Sequence, residues 1–175
     1  MSEIANASYA SAAQISTQNF DAEDENDMEI LNGVLLYTII RENTASFGDV
    51  VHSWIEKYVL NHTRAVTSLI QLILCASNNA LIVSEEMYNQ SSLPEIYKEI
   101  TESFNDEEIY PLISQEDADF SSNFYDFTLK LSKFSMHTFI NDEEIMDSLL
   151  AFFKIACNSN YRPLRHTCTF FGILK

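Results

Sequence analysis

Glycine and proline number three each in 175 residues, and that scarcity constrains the chain more than any other feature. Turns in β proteins lean on these two residues, whereas helix interiors exclude them. A chain this poor in breakers, with long runs of apolar residues three and four apart, is predicted to be all-α. The hydrophobic fraction of 46% is enough to build a core.

The periodicity divides the chain into segments. Residues 1–27 are rich in Ser, Ala, Asn, Gln and acids, and read as a disordered acidic tail, either simply solvated or able to dock on a basic partner. Asn26 with Glu29 resembles a capping box that opens a helix to about Arg41. A second helix is predicted from about Ser46 to Tyr58, with Val50, Trp54 and Tyr58 on one stripe. Asn61 can cap a third, whose buried side holds Ala65, Leu69, Leu72, Ile73 and Ala76, and which Asn78 and Asn79 close. Ser84 can cap a short turn at 85–88. Ser92, Pro94 and Glu95 form a helix start of cap, first-turn proline and acid, predicting a helix to about Phe104. Residues 105–114 read as a loop. A long aromatic helix follows over about 116–138, with Phe120, Phe124, Phe127, Leu131 and Phe134 inward. The next opens at Asn141 with Glu144 completing a cap, and carries Ile145, Leu149, Phe152 and Phe153 inward. Asn160 precedes a last helix. Short links make neighbours antiparallel, so the expected architecture is a stack of antiparallel helical hairpins, the start of a HEAT-like α-solenoid. The sequence stops at Gly172-Ile173-Leu174-Lys175 without a C-cap signal, from which partner helices beyond a truncated 28–175 domain are expected.

Charge narrows the possible partners. The formal net charge is −16, and residues 1–29 hold seven acids with no Lys or Arg. Phosphate binding needs cations that displace counterions, so DNA contact is expected to be weak and confined to local patches. Arg162, Arg165 and Lys175 with His166 form the one segment of basic residues without an acid. Lys130 and Lys133 on the aromatic helix, with Lys57 and Arg64, are second candidates for phosphate contact. The competing reading has Arg165 and His166 tying helix ends and carboxylates together. The three cysteines lie far apart, so neither a zinc site nor a disulfide framework is indicated. The four histidines show no paired metal spacing. No glycine-rich phosphate loop is possible, and Glu143-Glu144 are first-turn acids suited to the helix dipole. No metal, cofactor or small-molecule substrate is expected. The stretch Leu69–Ala76 is too short to span a bilayer, and no secretory signal is visible.

Four motifs in order carry a family resemblance. Phe47-Gly48-Asp49-Val50-Val51-His52-Ser53-Trp54-Ile55-Glu56-Lys57-Tyr58 resembles the opening of the STAG domain, in which Trp54, Glu56 and Tyr58 match the helix signature. Ala65 to Cys75 follows a second family helix pattern, with Leu69 and Cys75 at its marked positions. Tyr110-Pro111-Leu112 resembles a family loop. Arg162-Pro163-Leu164-Arg165-His166-Thr167-Cys168-Thr169 resembles the family end-marker. The chain departs from the family at Cys75-Ala76-Ser77-Asn78, where relatives often end in Cys-Ser-Gly-Cys. It departs again at Glu116, Asp117 and Asp119, where relatives often carry lysines.

The resemblance is to the cohesin subunit SA (stromal antigen) family, and it covers about residues 31–175. It implies a non-enzymatic helical scaffold of the cohesin complex, nuclear and chromosome-associated, acting in sister chromatid cohesion. It implies the kleisin subunit and loading and release factors as partners, held largely by regions beyond this chain. It implies structural roles for Trp54, Glu56, Tyr58, Leu69, Cys75 and Thr167. The alternative reading is an unrelated helical-repeat adaptor for protein–protein contacts, because fold alone does not fix function.

Overall fold

The computed structural model describes residues 25–104, 110–114, 117–139 and 143–172. They form eight α-helices and one 3-10 turn: α1 (Glu25–Glu42), α2 (Phe47–Leu60), α3 (His62–Ala76), α4 (Glu85–Gln90), α5 (Leu93–Glu102), the 3-10 turn Pro111–Ile113, α6 (Ala118–Phe139), α7 (Glu143–Cys157) and α8 (Arg162–Gly172). No strand occurs among the described residues. The fold is all-α and solenoid-like.

Local sequence explains the helix ends. Asn61 leaves α2 in an extended conformation and its side chain accepts the Arg64 amide at 3.0 Å, starting α3. Asn78, at φ 59°, ends α3, a conformation that asparagine tolerates better than most residues. The Ser84 hydroxyl accepts from the Met87 amide at 3.1 Å to start α4. Glu95 accepts from the Ser92 amide and hydroxyl, each at 2.7 Å, to start α5. Asn26 lies inside the first helix rather than capping it, and α5 ends at Glu102 rather than Phe104. The rest of the 1–27 tail and the Asn141 cap lie outside the described residues.

Helix α3 is the centre. Every residue from Ala65 to Leu74 is buried, so α3 has no solvated face, as expected of a helix enclosed by others. Helix α1 packs on it most extensively, α2 returns against it as a hairpin, and α4, α7 and α8 touch it further round. The approach of α1 is close. A Cβ on Gly33 would stand 2.4 Å from Gln71 Cβ and 3.2 Å from the Ser68 carbonyl oxygen.

The buried side-chain amides beside α3 are satisfied. Gln71 donates to the Leu81 carbonyl at 3.1 Å and accepts the Val83 amide at 3.0 Å, pinning residues 81–83 alongside α3. Asn79 accepts the Leu81 amide at 2.9 Å and donates to the Ile100 carbonyl at 3.0 Å. Pairing of this kind is what makes buried amides tolerable.

Helix α6 lies across α1 and α2. Arg41 grips Asp117 through two hydrogen bonds, Nε to Oδ1 at 2.9 Å and Nη2 to Oδ2 at 3.1 Å. A series of ring contacts then crosses the molecule: Tyr37–Phe120 (5.3 Å), Phe120–Phe124 (5.5 Å), Phe124–Phe171 (5.4 Å) and Phe171–Phe153 (5.9 Å). Phe120, Phe124, Phe127 and Leu131 are buried as the spacing predicts, but Phe134 is 48% exposed. At its level the neighbour on α2 is His52, itself exposed, whose ring meets Phe134 edge-on at 5.8 Å. The stripe on α6 runs past the part of α2 that covers it.

Trp54 is 4% exposed. Its indole N–H donates to the Ala65 carbonyl at 3.2 Å and the Ser68 hydroxyl at 3.0 Å. Trp54→Ala should therefore cost about 3–5 kcal/mol in urea unfolding. A variant with the parent midpoint would show that this side chain carries no packing.

Candidate nucleic-acid interface

The basic segment forms the start of α8. Leu164, Thr167 and Cys168 are fully buried on its inner face. Arg162, Arg165, His166 and Thr169 are exposed on the opposite face. The spacing that places an apolar triad inward at 164, 167 and 168 necessarily gathers these cations outward.

Two of them are held in place. Arg165 Nη1 donates to the Ser159 carbonyl at 2.7 Å, closing the α7–α8 turn. His166 Nδ1 is hydrogen-bonded to the Tyr110 hydroxyl at 2.5 Å. Burial pushes the Tyr110 phenol above its ordinary value, and the charges of Arg162 and Arg165 oppose that shift. Both guanidinium groups therefore act on the same spot as the Tyr110–His166 pair. Arg162 extends into solvent at the first position of α8, where the helix dipole adds to its positive charge.

The other candidates are spread over different helices. Arg64 is paired with Glu85 at 2.6 Å, and Asn61 donates to the same carboxylate at 3.1 Å. Lys130 is paired with Asp126 and lies over the Phe47 ring at 5.9 Å. Lys133 is exposed one turn further along α6, and Lys57 is exposed on α2. Asp117, one of the acids at the start of the aromatic helix, is the partner of Arg41. The structure thus gathers Arg162, Arg165 and His166 and disperses the remaining four.

Residues of the remaining motifs have structural surroundings. Tyr58 stacks on His62 at 4.5 Å and lies 5.6 Å from Trp54. Leu69 is buried, while Glu56 is exposed. Cys75 accepts a weak hydrogen bond from Gln71 at 3.6 Å, and burial raises its thiol pKa. The Thr167 hydroxyl finds no hydrogen-bond partner among the described residues. No group of three or more His, Cys, Asp or Glu able to hold a metal ion occurs among the described residues. No described helix is long and apolar enough to cross a membrane. The pairing of Tyr110 with His166 was not predicted. The two residues are 56 positions apart, and only their membership in two of the quoted motifs hinted at it.

Residues 108–174, which carry α6, α7 and α8, match the STAG domain. The chain is similar to cohesin SA subunits over most of its length. It is 28% identical to cohesin subunit SA-1 of Xenopus laevis over 139 residues, covering 78% of this chain and 11% of that protein. It is 25% identical to cohesin subunit SA-3 of Homo sapiens over 137 residues, covering 77% of this chain and 11% of that protein. The chain thus spans about a tenth of the length of these curated relatives. Of the four motifs, Tyr110-Pro111-Leu112 and Arg162–Thr169 fall inside the STAG match, and the α2 and α3 motifs precede it.

Two measurements probe this region. If the α8 face contacts phosphate, DNA affinity should fall with salt, and Arg162→Ala should reduce the log–log slope by roughly one unit. Equal slopes in variant and parent would exclude the contact. The second concerns Cys168, whose thiol is pushed well above its ordinary 9.0 by burial and then by Cys157. An unfolded chain releases that proton first, so folding stability should drop as pH rises past the ordinary thiol value. The loss approaches about 1.4 kcal/mol per pH unit for one thiol. Chemical unfolding across alkaline pH should show a shallower decline for Cys168→Ala. Parallel declines would place the titrating group elsewhere.

Proposed function

We propose that this chain is a non-enzymatic scaffold segment of a cohesin SA-type subunit, acting in sister chromatid cohesion and chromatin association in the nucleus. The observation that carries the proposal is the STAG match over 108–174. The geometry supports it: packed helices expose faces for partners, and the α8 face offers the gathered cations. A kleisin subunit and cohesin loading and release factors are the partners this reading assigns to the whole protein. DNA contact is a minor, local contribution at Arg162, Arg165 and His166, because the net charge of −16 opposes general phosphate binding.

Immunoprecipitation of the protein from its native cells at gentle salt should recover a kleisin chain, and chromatin fractionation should find the two together. Recovery of other proteins without a kleisin, and with no chromatin association, would favour a helical adaptor unconnected with chromosomes.

A further inference from the structure

Tyr110 is 1% exposed, yet its hydroxyl ends on a histidine that faces solvent, at 2.5 Å from His166 Nδ1. Neither side chain makes another hydrogen bond among the described residues. A buried phenol committed to one exposed ring sets that ring's chemistry.

The bond decides where the neutral imidazole carries its hydrogen. Burial raises the Tyr110 pKa, so the phenol keeps its hydrogen at neutral pH. That hydrogen has no other acceptor among the described residues, and a buried donor left unbonded is costly. It is therefore donated to Nδ1. A neutral imidazole has one donor and one acceptor nitrogen, so Nε2 carries the ring hydrogen. Nδ1 and Nε2 lie across the ring from each other. With Nδ1 turned to the buried phenol, Nε2 is turned away from it.

Arg162 stands one turn earlier on the same side of α8, at the i, i+4 spacing that makes side chains neighbours. It is exposed, and its side chain makes no hydrogen bond or ion pair among the described residues. Arg165 differs, because its Nη1 is occupied by the Ser159 carbonyl at 2.7 Å. One free guanidinium and one oriented N–H donor thus stand side by side.

We propose that Tyr110 is a positioning residue for phosphate contact: by holding Nδ1 of His166 it presents Nε2–H beside the Arg162 guanidinium, so that the two donate to oxygens of one backbone phosphate. This rests on the DNA contact proposed above for the α8 face and names the atoms that make it. Arg162 supplies the charge, and His166 supplies a neutral donor.

The test is fluorescence-anisotropy titration of the full chain with a short labelled DNA duplex across a salt series. Tyr110→Phe and His166→Ala should each weaken binding about three- to tenfold, the effect of one hydrogen bond. Both should keep the parent's log–log slope, because a neutral donor displaces no counterion. In the His166→Ala background, Tyr110→Phe should have no further effect. An equal loss in both backgrounds, or parent affinity in Tyr110→Phe alone, would overturn the proposal and leave the DNA contact standing. A parent that binds no duplex would overturn both. Asp106, Glu107 and Glu108 precede Tyr110 in the sequence and lie outside the described residues; they are common to every variant, so the ratios between variants cancel their field. Nitrogen NMR of His166 is a readout independent of DNA and of stability. With the ring neutral, the parent should show the Nε2–H form and Tyr110→Phe a mixture of both forms. An Nδ1–H form in the parent would overturn the proposal whatever the titrations give.

Discussion

Helix α3 is enclosed on all sides, and the rest of the structure follows from what enclosing it requires. A helix with Ala65 through Leu74 buried cannot leave Thr67, Ser68 or Gln71 unsatisfied, because each orphaned polar group costs on the order of 1–3 kcal/mol. Ser68 and Thr67 bond back to carbonyls of their own helix, at 2.7 Å to Ala65 and 3.1 Å to Thr63. Gln71 has only a weak bond to Cys75 within its own helix, at 3.6 Å. It is met by an irregular segment, residues 81–83, brought alongside. The cost of burying one glutamine thus sets the path of the chain between α3 and α4. Gly33 completes the same site: only a residue without Cβ lets α1 come down onto Gln71.

Much of this was legible in the sequence. Asn61, Ser84 and the Ser92–Glu95 pair act locally, within three residues, and each marks its helix start as expected. The stripes at Val50, Trp54 and Tyr58, and at Phe120, Phe124 and Phe127, depend only on helical spacing. Val50 alone of these six stays partly exposed. What periodicity could not supply was how many faces a helix buries. Helix α3 reads as one-sided because Thr67, Ser68 and Gln71 are polar, yet these are the residues that the enclosing helices accommodate. Phe134 failed in the opposite sense: its spacing is right, but spacing does not say where the neighbouring helix stops covering it.

The candidate site divides in the same way. The face carrying Arg162, Arg165 and His166 follows from helix geometry and was readable. The pairs Arg64–Glu85 and Arg41–Asp117, 21 and 76 residues apart, carry no local signal, because they depend on which helices meet. For Arg64 this pairing changes the functional weight. A guanidinium already held by a carboxylate has less field to offer a phosphate, whereas Arg162 is exposed at a helix start whose dipole has the same sign.

The limits of the STAG match raise a physical question, since residues 108–174 begin after five of the helices. That matched portion cannot bury its own core. Phe120 needs Tyr37 of α1, and Phe127 needs Phe47 of α2. The bidentate Arg41–Asp117 pair fixes the start of α6 against the end of α1. Remove α1 and α2, and Phe120 and Phe127 lose these partners, at roughly 1.5–3 kcal/mol for each ring exposed to water. The relatives' similarity over 77–78% of the chain is what this packing demands: the matched helices and those before them share one core. A surface on α8 is therefore only as rigid as the contacts from Phe124 to Phe170 and Phe171, which tie α8 through α6 to the helices that enclose α3.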